Sequence, residues 1–154
     1  MKRLLFVCMG NICRSPLAEG IARHHASRLQ LPLDIDSAGI ADYHVGEPPD
    51  PRAMALARRL GVPIDAQRAR QVTRDDLRRF DVILGADRSN LRALQALRSP
   101  DSTAELGLML AWAGDDPQAE VPDPYYGGSA EFEQVYDLLN RAMPALLRRV
   151  AFGS

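Results

Sequence analysis

The segment Cys8-Met9-Gly10-Asn11-Ile12-Cys13-Arg14-Ser15 puts a thiol, an arginine six positions later and a hydroxyl into one short stretch. Gly10 can take a positive φ and Asn11 tolerates one, so the stretch can curl until successive N–H groups point inward as an anion nest. A helix starting at its end adds unpaired N–H groups and the positive end of its dipole. Such surroundings bind a dianion such as phosphate and favour the thiolate of Cys8 over the thiol, which in a free cysteine has a pKa of about 8.5. Arg14 supplies a planar fork for two phosphate oxygens that Lys cannot copy. Ser15 is close enough in sequence to donate to the sulfur. A buried cysteine, a helix-start arginine and an ordinary turn would be the plain alternative. The added Gly, Asn and Ser favour the chemical reading.

Other phosphate motifs are missing. No G-x-x-x-x-G-K-[ST] run occurs, Lys2 is the only lysine, and Gly10 is not part of a G-x-G-x-x-G fingerprint.

The elements around this stretch alternate between strand and helix. Lys2 to Cys8 reads as a buried strand, because Leu4-Leu5-Phe6-Val7 is a continuous apolar run. A helix follows from about Ser15 to Leu29, with Ser15 placed to cap it and Pro16 in its first turn. A second strand is expected around Leu33 to Ser37, ending at Ala38-Gly39, then a Gly/Pro loop from Ile40 leading into a helix over Pro51–Leu60. Thr73-Arg74-Asp75-Asp76 carries a capping pattern for a short helix. Val82-Ile83-Leu84 predicts a third buried strand, Asp87 to Leu97 a helix, and Glu105–Ala111 contains a fourth strand. Gly114 to Gly128 reads as a long loop. Phe132, Val135, Tyr136, Leu139, Met143, Leu146, Leu147 and Val150 then recur at helical spacing, with a kink or break expected at Pro144. Strands alternating with helices predict one doubly wound α/β domain over 1–154, its sheet parallel and covered by helices on both faces. In such sheets ligands bind outside the carboxyl ends of the strands, which is where Cys8 lies.

Composition narrows the setting. With 154 residues, 46% hydrophobic, 25% charged and a net charge of −1, the chain reads as an ordinary globular protein, with no basic field for nucleic acid or an anionic membrane. The apolar run Leu4 to Met9 is too short for a signal-peptide core or a membrane span. Two cysteines make no secreted disulfide framework, and with His24, His25 and His44 they fill no zinc pattern, so the histidines read as packing or surface residues. The expected compartment is reducing cytosol.

Segment by segment, the chain resembles the low-molecular-weight protein tyrosine phosphatases. Val7 to Pro16 looks like that family's phosphate loop and Asp123-Pro124-Tyr125-Tyr126 like its general-acid loop. Asp36-Ser37-Ala38-Gly39, Val45-Gly46, Pro49-Asp50-Pro51-Arg52, Ala69-Arg70-Gln71 and Asp87-Arg88-Ser89-Asn90 fall between them in the family's order. The resemblance implies a four-stranded parallel sheet and a two-step hydrolysis of phosphotyrosine in proteins that needs no metal or other cofactor. It implies Cys8 as nucleophile, Arg14 as oxyanion clamp and Asp123 as acid. Met9, Gly10, Asn11, Ile12, Cys13, Arg14 and Ser15 hold phosphate or another oxyanion. Asn11, Ser15 and Ser37 shape the loop and support the thiolate, and Asp87 orients the arginine. Where the family often has a histidine contacting this polar network, the chain has Gln67, which hydrogen-bonds but cannot become charged. Ala86 stands where many relatives carry Met.

That chemistry asks for aromatic walls around a phenyl substrate, and Tyr43 and Tyr125 are the candidates. Cys13 has two readings: a small packed side chain, or a partner that forms a disulfide with Cys8 and protects it from over-oxidation. The arginines at 68, 70, 74, 78 and 79 read as a solvated face, with a docking role for acidic substrate segments as the alternative. Three rivals share the scaffold's logic. Arsenate reduction would need further cysteines as electron carriers, and none follows Cys13. A phosphocysteine carrier would need Cys8 but neither Arg14 nor Asp123. A catalytically dead phosphotyrosine-binding module fits poorly with a complete Cys/Arg/Asp set.

Overall fold

The structure, a computed structural model, describes residues 1–153. Four strands, β1 (Lys2–Cys8), β2 (Leu33–Gly39), β3 (Val82–Gly85) and β4 (Glu105–Leu108), form one sheet in the order β2-β1-β3-β4. Every neighbouring pair is parallel. Six helices complete the described residues: α1 (Arg14–Arg28), α2 (Pro51–Arg59), α3 (Asp76–Arg79), α4 (Arg88–Ala96), α5 (Met109–Trp112) and α6 (Ser129–Phe152).

The continuous apolar run of β1 is explained by burial on both faces. Alternate side chains of a strand point to opposite sides. Leu4, Phe6 and Cys8 therefore join the core under α1, α2, α5 and α6, whereas Leu5 and Val7 join a second core with Leu77 of α3 and Leu94 of α4. The register brings the strand ends level: Cys8 lies opposite Gly39, and Val7 opposite both Ala38 and Gly85. All the loops that leave these ends open on the same side of the sheet.

The predicted face of α6 is buried in full, from Phe132 through Leu139 to Val150. Each such side chain contributes roughly 1.5–3 kcal/mol through lost contact with water. That packing carries the helix without a break through Pro144, so of the kink or break expected there the break is absent. Only one ladder bond is lost at a proline, and buried residues on either side of it (Met143, Leu146 and Leu147) hold the axis.

Three smaller expectations are corrected. Ser15 does not cap α1: it lies inside the first turn, Cys13 occupies the cap position, and no side chain caps the helix. The cap signal failed because the hydroxyl is turned into the loop instead. Gly10 is not among the residues with positive φ; Asn11 alone makes that turn, at φ 58°. The fourth strand lies within Glu105–Ala111 as expected, and Leu108 leads straight into the short helix α5, which the apolar run Leu106–Trp112 concealed. Asp87 is the cap of α4 rather than its first residue, exchanging bonds with Asn90 in both directions. The capping pattern at residues 73–76 is present, with Thr73 N–H donating to Asp76 Oδ2 at 2.8 Å and Asp76 N–H to Thr73 Oγ1 at 3.3 Å.

Candidate active site

Around the loop after β1, the carbonyls are tied down and the N–H groups are not. Cys8 O accepts from Ile40 N–H at 3.0 Å, Met9 O from Ala41 at 2.9 Å, Ile12 O from Asp50 at 2.8 Å and Cys13 O from Leu17 at 3.2 Å. Among the described residues, no N–H from Met9 to Ser15 has an acceptor. A short loop so arranged presents donors and hides acceptors, which is the polarity an oxyanion requires.

The left-handed turn at Asn11 would cost a residue of its type about 1 kcal/mol. Its amide offsets that cost by bonding at both ends. Asn11 Oδ1 accepts from the Arg70 N–H at 3.0 Å, and Nδ2 donates to Ser15 Oγ at 2.8 Å and Ser37 Oγ at 3.0 Å. Gly39 explains why β2 must end as it does. A Cβ there would come within 3.0 Å of backbone atoms of Met9, Gly10 and Asn11, none of which can swing away.

Cys8 is buried, its Sγ 3.0 Å from Ser15 Oγ. Arg14 is 3% exposed and held from two sides: Nη1 donates to Asp87 Oδ2 at 2.8 Å and to Val121 O at 3.0 Å. Burial opposes the charge on Arg14, but Cys8, the bond to Asp87, and the charges of Asp123 and Asp87 outweigh it and raise its pKa above the ordinary arginine value. The other guanidinium nitrogen, Nη2, lies 3.6 Å from Asp123 Oδ2. Asp123 is partly exposed, and its Oδ1 accepts from Tyr125 N–H at 3.0 Å.

These groups share one cleft of about 300 Å³ lined by Cys8, Met9, Gly10, Ile12, Cys13 and Arg14 below, with Asp123 beside them and Tyr43, His44, Tyr125 and Tyr126 at its mouth. Asn11, Ser15, Ser37 and Asp87 stand behind it. Tyr126 and His44 were not expected at the cleft: the first stood only inside the general-acid-like segment, and the second read as a packing or surface residue. Tyr126 meets Tyr125 edge to face with ring centroids 5.0 Å apart, and the His44 ring lies over Gly10, where a Cβ would be 3.1 Å from its Cδ2. No sequence signal separates these two from ordinary surface residues.

A third device was also missed, although its residues were named. Asp50 caps α2 through the Arg52 N–H at 2.8 Å, while the Arg52 guanidinium donates to Asp50, to Tyr125 O at 2.9 Å and to Gly127 O at 2.9 Å. Arg52 therefore ties the frame of the Cys8 loop to the segment carrying Asp123. Cys13 is a buried thiol; burial, then the charges of Asp50, Cys8 and Asp123, push its pKa far above the usual thiol range. Both cysteines are free thiols. Gln67 stands apart from the polar network: its Nε2 donates to Pro16 O at 3.1 Å, and its Oε1 is buried without a partner. Of the arginines on the expected solvated face, Arg70 is half-buried between Asp36 and Asp76, Arg78 pairs with Asp75 and Asp101, and Arg79 with Asp75. No helix among the described residues is long and apolar enough to cross a membrane.

Residues 3–152 match the family model described as low molecular weight phosphotyrosine protein phosphatase. The Bacillus subtilis protein named low molecular weight protein-tyrosine-phosphatase YfkJ is 40% identical over 152 residues, covering 97% of this chain and 96% of that protein. The crystal structure of a protein tyrosine phosphatase from Entamoeba histolytica with Hepes in its active site superposes with a TM-score of 0.89 at 34% identity, covering 97% and 96% of the two chains. A Drosophila arginine phosphatase superposes with a TM-score of 0.88 at 31% identity, covering 97% of each chain.

Proposed function

The chain belongs to the low molecular weight phosphotyrosine protein phosphatase family, and from that premise we propose that Cys8, Arg14 and Asp123 carry its reaction on phosphotyrosine in proteins. The observation that carries the assignment is the convergence of the three on one cleft whose floor offers unpaired N–H groups.

The Cys8 thiolate attacks phosphorus in line, and the S–P bond forms as the P–O bond to the phenol breaks. The N–H groups of the loop and the outer edge of Arg14 hold the equatorial oxygens, where charge is greatest in a loose transition state. An incoming phosphate dianion takes the place of Asp123 beside Arg14 Nη2. Asp123, as general acid beside the leaving oxygen, gives its proton to the departing phenolate. Water then attacks the cysteinyl phosphate, Asp123 accepts its proton, and the S–P electron pair returns to sulfur. Asp87 and Val121 O orient Arg14, while Asn11, Ser15 and Ser37 keep the loop curled. No step calls for a metal or other cofactor.

Tyr43 and Tyr125, joined by Tyr126, flank the substrate ring, and a deep floor below aromatic walls suits an aryl phosphate better than the shorter phosphoserine. The same walls favour phosphotyrosine over phosphoarginine, whose phosphoryl group is carried on a flexible aliphatic chain with no phenyl ring to stack. A thiolate nucleophile is suited to a reducing compartment such as the cytosol.

Asp123→Asn tests the proposal. Loss of a general acid costs about a hundredfold to ten-thousandfold. The loss belongs to substrates whose leaving group needs the proton, such as tyrosine with a pKa of about 10. With phosphotyrosine peptide, kcat/KM, which reports the step that expels the phenol and not the later hydrolysis that Asp123 also assists, falls at least about a hundredfold, and with p-nitrophenyl phosphate, a far better leaving group, by a much smaller factor. Equal losses for both substrates would remove Asp123 from the acid role.

A further inference from the structure

Behind the cleft, a chain of hydrogen bonds leads from the nucleophile to a carboxylate that takes no part in the mechanism above. Cys8 Sγ is 3.0 Å from Ser15 Oγ; Ser15 Oγ is 2.8 Å from Asn11 Nδ2; Asn11 Nδ2 is 3.0 Å from Ser37 Oγ; and Ser37 Oγ is 2.7 Å from Glu19 Oε1. All five residues are buried, with Glu19 only 6% exposed. Arg23 donates to the far oxygen of Glu19 at 3.0 Å from the protein surface.

Hydrogen-bond bookkeeping gives this chain a direction. The Arg70 N–H can only donate, so the Asn11 oxygen faces it and the Asn11 NH2 must face the two serines. Both amide hydrogens are thus spent, and each serine oxygen accepts one. The Ser37 hydroxyl hydrogen then has the Glu19 carboxylate as its acceptor. The Ser15 hydrogen is left two choices, Cys8 Sγ at 3.0 Å or Ala38 O at 3.4 Å, and only the first donates to the nucleophile. Glu19 holds Ser37 in the position that anchors Asn11, and Asn11 presents the lone pair of Ser15 inward and its hydrogen toward sulfur.

We infer that Glu19 is a positioning residue for the phosphatase reaction, an acceptor that orients the Ser37–Asn11–Ser15 chain so that Ser15 donates to the Cys8 thiolate. The inference rests on the reading of Cys8 as nucleophile given above. Gln67 does not share the task, since its one bond goes to Pro16 O. Burial raises the Glu19 pKa above the usual carboxylate range despite the opposing bonds from Ser37 and Arg23. A carboxylate kept at that cost contributes less to stability than a well-packed apolar residue of similar size would.

The test is alkylation of Cys8 by iodoacetamide, a neutral reagent that reacts with the thiolate, followed by mass spectrometry at mildly acidic and at alkaline pH. A hydrogen bond to a charged group contributes enough that its loss changes the thiolate population about tenfold. Glu19→Ala therefore slows alkylation about tenfold at mildly acidic pH and much less at alkaline pH. Glu19→Gln, whose amide oxygen still accepts from Ser37, stays within about threefold of wild type. Ser37→Ala reproduces the Glu19→Ala behaviour and, combined with it, adds nothing, which also serves if Glu19→Ala does not fold. Wild-type rates in both Glu19→Ala and Ser37→Ala, equal slowing at both pH values, or a Glu19→Gln protein as slow as Glu19→Ala would each overturn the inference. Turnover of p-nitrophenyl phosphate by the wild type reports separately on the underlying reading, so failure of the one is distinguishable from failure of the other.

Discussion

Cys8→Ser is expected to hydrolyse p-nitrophenyl phosphate at least about ten-thousandfold more slowly than wild type, because removing the nucleophile of a concerted constellation takes away most of its rate at once. The change is small in volume, and Ser15 Oγ at 3.0 Å remains a hydrogen-bond partner for the new hydroxyl, so the fold is retained. What is lost is charge: a serine hydroxyl is not ionised near neutral pH, and among the described residues the one side chain hydrogen-bonded to residue 8 is Ser15, which is no general base. The N–H groups from Met9 to Ser15 and the Arg14 fork are untouched. Inorganic phosphate should therefore bind the variant at least as well as wild type, now that no thiolate repels it. Titration calorimetry beside the rate assay separates the two effects. A variant retaining more than about a hundredth of the rate would mean that Cys8 is not the attacking group.

Arg14→Lys is the second large effect, expected to lower kcat about a thousandfold, the low end of what an arginine at a transferring phosphoryl group is worth. Charge alone does not substitute here. Nη1 holds Asp87 and Val121 O together while Nη2 faces the cleft, and a single ammonium cannot span both directions. Satisfying Asp87 would pull the ammonium out of the site; serving the substrate would leave Asp87 and Val121 O with an unmet partner. A buried lysine also tends to shed its proton, which would remove the charge altogether. Because Asp87 still caps α4 through Asn90 N–H at 2.8 Å, the thermal midpoint should change far less than the rate. A loss below about tenfold in kcat would remove Arg14 from transition-state binding.

How far these expectations were legible in the chain itself differs from element to element. β1 and α6 were readable because burial imposes a period on the sequence: a continuous apolar run for a strand covered on both faces, and helical spacing for a helix covered on one. The Cys8 loop was readable because its residues are local, a thiol, a turn and an arginine within one strand-to-helix connection. Ser15 was half legible: its contact with the Cys8 sulfur was expected and is present, whereas the cap that a serine before a helix usually makes is absent because the same hydroxyl cannot serve both. The positive φ moved from Gly10 to Asn11 because bonds from Arg70, Ser15 and Ser37, all made by folding, hold the asparagine there. Arg52, Glu19 and His44 were not singled out for the opposite reason. Their significance lies wholly in partners far along the chain (Tyr125 and Gly127 for Arg52, Ser37 for Glu19, Gly10 for His44), and no local pattern announces such a meeting. Asp123 shows the same limit: as an Asp-Pro turn it is unremarkable, and the family resemblance assigned its role before the fold brought it to Arg14 Nη2.

The most direct measurement is rapid acid quench of the wild-type protein mixed with an aryl phosphate and excess chelator, with mass spectrometry of the peptide containing Cys8. A cysteinyl-phosphate route predicts a burst of phenol matching the enzyme concentration, a single phosphoryl group on Cys8 during turnover, steady release of phosphate, and none of these in Cys8→Ser. Steady turnover with Cys8 unmodified would contradict the account outright. A phosphoryl group that accumulates on Cys8 without release to water would make the protein a carrier rather than a hydrolase.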